Sequence, residues 1–256
     1  DVYCQIDKLP LLAQEEEVPA ELDWDLWLGP AQPMPYHKMI CPWNWRGWTR
    51  FGTGCIGDWV CHVVDPSFWA LDLGAPQTIQ AEVDGYDPKE HVEVYPAGSA
   101  ITFEFPAKGE RGPIKLVWYD GNTRPPHPQQ LEAGRNPPGT GAVVIGDEGA
   151  IMHGSHGAGG VRIIPEAKMR EYRQPEPTIP RVPGHHQDWL QASREGRQAG
   201  SNFDYGGPLT EIGLLGMIAI RLPGTKLQWD TENMRFTNCE AANAYVNPEY
   251  RAGYTL

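Results

Sequence analysis

Apolar and polar residues alternate along Thr78-Ile-Gln-Ala-Glu-Val and Ser99-Ala-Ile-Thr-Phe-Glu-Phe, the period-two pattern of strands with one buried face. Ile114-Lys-Leu-Val-Trp-Tyr and Gly141-Ala-Val-Val-Ile-Gly extend the series, and Asp120-Gly-Asn marks a turn. Ala150-Ile-Met-His and Val161-Arg-Ile-Ile-Pro predict a further strand pair, and Leu227-Gln-Trp-Asp and Met234-Arg-Phe-Thr-Asn two short strands. Val2-Tyr-Cys-Gln-Ile-Asp also alternates and predicts a strand within residues 1–12. Helices are predicted from Leu22 to a stop at Gly29-Pro30, from about Cys55 to Phe68 with an end or kink at Pro66, from His185 to Gly196, and from Pro208 to Ala219. Residues 13–23 are acidic, 30–50 form a Pro/Trp-rich loop, 121–140 hold five prolines and three glycines, and 174–184 are a proline-rich connector. There is no internal repeat. A helix, then strands, then helices predict an α+β class with a largely antiparallel sheet.

Composition changes this picture little. The 256 residues are 40% hydrophobic and 21% charged, ordinary for a globular protein and enough for one large domain or two small ones. The 29 glycines and 25 prolines agree with a loop-rich chain of strands. A net charge of −12 argues against nucleic acid as a partner, and no apolar run is long enough to span a membrane. The five cysteines (Cys4, Cys41, Cys55, Cys61, Cys239) contain no C-x-x-C pair and are expected as reduced, buried thiols.

The chemistry concentrates between Trp43 and Asp65. Asp58 and His62 lie four residues apart, so on a helix they share a face, and a carboxylate beside an imidazole fixes the ring as a general acid/base requires. On spacing alone the same pair also reads as a helix-surface salt pair or a satisfied buried histidine. Just upstream, Trp45, Arg46 and Trp48 offer aromatic faces and a guanidinium fork suited to sugar rings and carboxylates, or else anchor their loop to the core. His185 and His186 open a helix and are either substrate- or metal-facing or a solvated helix start; His153 and His156 flank a glycine-rich hairpin tip and are expected in solvent.

Gly52-Thr-Gly54-Cys-Ile-Gly57 is a literal G-x-G-x-x-G, with Asp72 twenty residues past Gly52. The fingerprint needs a buried parallel strand before it, whereas Trp-Arg-Gly-Trp-Thr-Arg-Phe precedes it here. It is read instead as a tight turn that passes close to a ligand and starts the Asp58 helix. No cofactor-binding and no metal-ligating residues are assigned.

These residues resemble the Gfo/Idh/MocA oxidoreductases, and specifically their second, C-terminal domain. Gly57-Asp58-x-x-x-His62-x-x-Asp65 is similar to the family's catalytic Asp-x-x-x-His helix. Trp24-Asp-Leu-Trp-Leu-Gly-Pro30, Trp45-Arg-Gly-Trp48, His185-x-x-x-Trp189-Leu-x-Ala-x-Arg194-x-Gly196 and Leu227-x-Trp-Asp-x-Glu-Asn-Met-Arg-x-Thr-Asn238 are similar to one bacterial subgroup. The resemblance implies one domain over 1–256, an open antiparallel sheet with helices packed on one face, and residues 1–50 as an N-terminal strand plus loop. It also implies a sugar or polyol substrate, His62 as acid/base, Asp58 as its support, and homo-oligomerisation through the open sheet face. NAD or NADP belongs to the family's Rossmann domain, which this sequence lacks. With Asp1 in place of Met, the chain is expected to be the C-terminal part of a longer bacterial enzyme of the cytoplasm or periplasm, and inactive alone. The alternatives are a carbohydrate-binding or oligomerisation module without chemistry, the matching half of an NAD-dependent glycosidase, and a metal-dependent hydrolase, for which no H-x-x-x-H or H-E-x-x-H spacing speaks.

Overall fold

Strand alternation becomes sheet structure in a computed structural model, which describes residues 2–254. Asp1, on which part of the expectation above rests, lies outside the described residues. The chain divides into two compact units. The first is built from the chain up to Trp59, from Ala75–Pro125 and from Ile212 onward; the second from Val60–Gly74 and Pro126–Glu211.

In the first unit β1 (Thr78–Asp84), β2 (Gly98–Phe105) and β3 (Ile114–Gly121) form an antiparallel meander. β7 (Leu227–Asp230) and β8 (Arg235–Phe236) extend it to five strands in the order β3-β2-β1-β7-β8. Its register pairs Ile79 with Phe103 and Ala81 with Ile101, and all four are fully buried on one face. Thr78, Gln80, Thr102 and Glu104 occupy the other face, where Glu104 accepts from Thr78 and pairs with Lys226, both at 2.6 Å. On the buried face Gly216 of α6 (Phe203–Arg221) lies so close that an added Cβ would meet the Phe103 ring and Ile56 at 3.0 Å. Gly216 is therefore the contact that lets the helix seat on the sheet.

The N-terminal segment departs from its alternating pattern. Residues Ile6–Ala13 wind into a 3-10 helix with Pro10 inside it, and only Cys4 makes a strand-like bridge, to Tyr95. Pro10 has no N–H to give a ladder, and Ile6, Leu9 and Leu12 find a better partner in the cluster of Ile40, Trp48 and Val94. α1 (Trp24–Leu28) is capped by Asp23, whose carboxylate accepts the Leu26 N–H at 3.0 Å. Trp24 stacks on Trp27 at 4.8 Å, and Trp27 meets Phe51 edge-on at 4.9 Å. The Pro/Trp-rich loop thus folds around its own aromatic residues.

The predicted helix from Cys55 to Phe68 is two helices, α2 (Gly54–Val63) and α3 (Asp65–Ala70). Pro66 occupies the first turn of α3, where its missing N–H costs nothing, so the break falls just before it.

The second unit carries a separate three-stranded antiparallel sheet, β4 (Gly141–Ile145), β5 (Ala150–Gly154) and β6 (Arg162–Ile164). Leu131, Ala150, Met152 and Ile164 form its core. The α+β class stands, with two open antiparallel sheets rather than one. Two short helices, α4 (Glu166–Glu171) and α7 (Glu240–Val246), add to the expected set. α6 begins five residues ahead of Pro208 because Asn202 accepts the Tyr205 N–H at 3.2 Å and caps it.

α5 (His185–Glu195) ends at Gly196 in the left-handed conformation, φ 69°. Asp188, 5% exposed, ties the helix to the returning chain by accepting the Gly200 N–H at 2.8 Å and pairing with Arg197 at 2.9 Å. The Gly200 amide first, and Arg197 next, hold its carboxyl below the usual range. A depressed folded-state pKa contributes stability that is present at neutral pH and lost as pH falls through that value. Asp188→Asn is therefore expected to lower stability at neutral pH and to flatten its decline in acid, read by urea melts across the acid range; an unchanged acid limb would refute this.

Candidate active site

Three glycines shape the turn that launches α2. Gly54 is left-handed (φ 67°), and an added Cβ would lie 2.9 Å from the Tyr95 ring. A Cβ at Gly52 would meet the Arg46 carbonyl oxygen at 2.4 Å, and one at Gly57 the Thr53 hydroxyl at 2.1 Å. The chain itself fills the space that the glycines leave. A pyrophosphate needs that close approach for itself, so the turn does not fit a dinucleotide.

Beside this turn lies a cavity of about 270 Å3, walled by Trp45, Arg46, Phe51, Thr53, Asp58 and the glycine turn. The Arg46 guanidinium is held between two indoles, 4.4 Å from the Trp43 ring and 4.5 Å from the Trp45 ring. Its Nη1 donates to the Trp43 carbonyl at 3.1 Å, and its Nε stands 3.7 Å from Asp58 Oδ2. The cavity thus presents one fixed cation, one carboxylate and the Trp45 side chain. Trp48, three residues on, is 1% exposed and belongs to the core with Ile40 and Val94. The 3-10 turn Asn44–Gly47 separates the two tryptophans, placing Trp45 on the cavity wall and Trp48 inside.

Asp58 has a partner that the sequence does not suggest. The Tyr3 hydroxyl donates to Asp58 Oδ2 and accepts from the Trp59 indole N–H at 2.6 Å. Burial first, then donation to Asp58, pushes the Tyr3 phenol well above its ordinary range. Behind it, Tyr3, Cys55, Tyr95 and Asp120 line a second cavity of about 30 Å3, room for little more than a water. Burial pushes the Cys55 thiol up to about 12, which makes it inert as a nucleophile. Asp120, held by Trp118 Nε1 at 2.7 Å and by the Ser99 hydroxyl and amide at 2.8 and 2.9 Å, is also raised by burial.

His62 belongs to the second unit. Its ring stacks on that of His156, centroids 4.3 Å apart and planes 23° apart, and the His156 N–H donates to the His62 carbonyl at 2.9 Å. His156 is left-handed (φ 56°) and its Nδ1 bonds the Ser155 hydroxyl at 2.9 Å. His153 was expected in solvent but is 3% exposed; its Nδ1–H donates to the Gly154 carbonyl at 2.7 Å. Asp65 accepts from the Tyr205 hydroxyl. His185 and His186 are exposed at the start of α5, rings 4.1 Å apart, and line neither cavity. None of the five cysteines is in a disulfide; Cys41 is buried, and Cys61, contrary to expectation, is exposed. Among the described residues no group of three or more His, Cys, Asp or Glu is placed to hold a metal ion, and no helix is long and apolar enough to cross a membrane.

Asp58 and His62 lie on α2 of an α+β chain with open antiparallel sheets. Residues 9–110 match the family model GFO_IDH_MocA_C2, described as the oxidoreductase family, C-terminal alpha/beta domain, a match consistent with a Gfo/Idh/MocA C-terminal domain over that stretch. No curated protein matches the chain. The matched stretch takes in the cavity wall from Trp45 to Asp58, together with His62, and leaves out Tyr3 and His156.

Proposed function

We propose that this chain is the substrate-side half of a nicotinamide-dependent sugar or polyol oxidoreductase. The observation that carries the reading is the cavity in which Trp45, Arg46 and Asp58 converge. Carbohydrates present apolar C–H faces and rows of hydroxyls. The C–H face suits the Trp45 indole, and neighbouring hydroxyls suit a guanidinium and a carboxylate, one accepting from Arg46 and the other donating to Asp58. One positive and one negative wall group favour a neutral ligand.

His62, one helical turn beyond Asp58 on α2, is the general base of this reading and takes the proton of the hydroxyl undergoing oxidation. Asp58 is its electrostatic support. The nicotinamide that the family implies accepts hydride; the Gly52–Gly57 turn does not fit it, so in this reading it is held by a separate Rossmann domain and the chain alone does not turn over NAD or NADP.

Saturation-transfer NMR and calorimetry of the chain with D-glucose, D-galactose and myo-inositol test the site. At least one is expected to bind, and Trp45→Ala is expected to weaken it about two- to tenfold, the worth of one aromatic contact. Arg46→Gln is expected to act in the same direction. No binding by any of the three sinks the reading.

A further inference from the structure

Both walls of the cavity rest on the first few residues. On one side, the Trp45–Arg46 turn ends at Gly47, where an added Cβ would meet the Val2 carbonyl oxygen at 2.5 Å, Gln5 Cγ at 2.8 Å and the Tyr3 carbonyl oxygen at 3.0 Å. The turn is therefore flush against residues 2–5. On the other side, the Tyr3 hydroxyl reaches Asp58 while the Trp59 indole fixes the phenol from behind at 2.6 Å. Gln5 is 1% exposed, its side-chain amide donating to the Val2 carbonyl at 3.1 Å, and Cys4 bridges to Tyr95. The segment is locked in place by its own bonds.

We propose that Tyr3 is a positioning residue of the carbohydrate site: its hydroxyl aims the Asp58 carboxylate into the cavity, and its segment sets the distance between that carboxylate and the Arg46 guanidinium. The inference rests on the reading given under the proposed function. A carboxylate is acceptor-only, with about four lone-pair directions on two oxygens. Tyr3 occupies one direction on Oδ2, the oxygen nearest Arg46, and so limits how the carboxylate turns. Without the hydroxyl, the carboxylate loses that restraint beside Arg46, whose donors a sugar hydroxyl would use. In this role Tyr3 acts through Asp58, which makes it a positioning and not a catalytic residue.

The test is a double-mutant cycle on the full chain with D-glucose, D-galactose and myo-inositol as probes. Tyr3→Phe keeps the ring and its packing and removes only the hydroxyl. It is expected to weaken the best probe about tenfold with the melting temperature nearly unchanged, the effect of one lost hydrogen bond to a charged group. Asp58→Asn is expected to weaken the probe similarly, and adding Tyr3→Phe to it should cost nothing more, because the phenol no longer has a carboxylate to aim. A purely structural Tyr3 gives additive losses instead. Additive losses, or a Tyr3→Phe variant that binds as tightly as the parent chain, overturn the inference and leave the carbohydrate reading intact; no binding of any probe by the parent chain overturns both. If Tyr3→Phe lowers the melting temperature substantially, Trp59→Phe repeats the cycle, since it leaves Tyr3 and Asp58 in place and removes the donor that orients the phenol. The same non-additivity with Asp58→Asn is then expected, and additivity again refutes the role.

Discussion

Replacing Phe103 with alanine is expected to destabilise the first unit by about 3–5 kcal/mol, the usual cost of emptying a buried aromatic site. Phe103 is fully buried on β2, paired with the equally buried Ile79, and covered by α6 at Gly216. The cost of such a substitution depends on how well the neighbours collapse into the void. Here the helix faces the ring with Gly216, which has no side chain to move in, and the flanking Ile101 and Ile79 are held by the strand ladder. The upper part of the range is therefore expected, a fall of roughly 8–20 °C in the melting transition. In a chain of two compact units the measurement must follow that unit's own transition, for instance through Trp118 on the neighbouring β3. A loss below about 1 kcal/mol would show that Phe103 does not hold helix to sheet.

The second large effect concerns rate. On the function proposed above, His62→Ala in the complete nicotinamide-dependent enzyme is expected to lower kcat about 10²–10⁴-fold, the typical contribution of a positioned general base, while sugar affinity stays nearly constant. The two readouts separate the main alternatives. A binding module has no rate to lose, and a histidine that only packs against His156 lowers the melting temperature without a selective effect on kcat. A His62→Ala enzyme with parental turnover would remove His62 from the chemistry.

The strands were the most legible part of the chain. Thr78–Asp84 and Gly98–Phe105 follow their alternation almost residue for residue, because a strand buried on one face writes its period directly into the sequence. The partition into two sheets was not legible, since alternation records a face and not its partner. Val2-Tyr-Cys-Gln-Ile-Asp alternates too, yet a proline and the pull of the Trp48 cluster turn the chain from Ile6 to Ala13 into a 3-10 helix. Of the sequence's site candidates, the cavity brings together Trp45, Arg46 and Asp58, marked by their chemistry and position, while His62 is not among its lining residues. Which tryptophan of Trp45 and Trp48 faces the cavity depends on a single turn, and no local pattern reveals it. Tyr3 meets Asp58 across 55 positions and His156 meets His62 across nearly a hundred, so both contacts are products of tertiary folding alone.

The glycine turn bears on more than this chain. Letters that elsewhere spell a nucleotide cradle here spell interior crowding, each missing side chain matched by a specific obstacle in Arg46, Tyr95 or Thr53. Where Trp-Arg-Gly-Trp precedes such a string by three residues and an aspartate follows it, the glycines should tolerate no enlargement even in variants never asked to hold a cofactor, so the glycine spacing by itself is no sign of nucleotide binding.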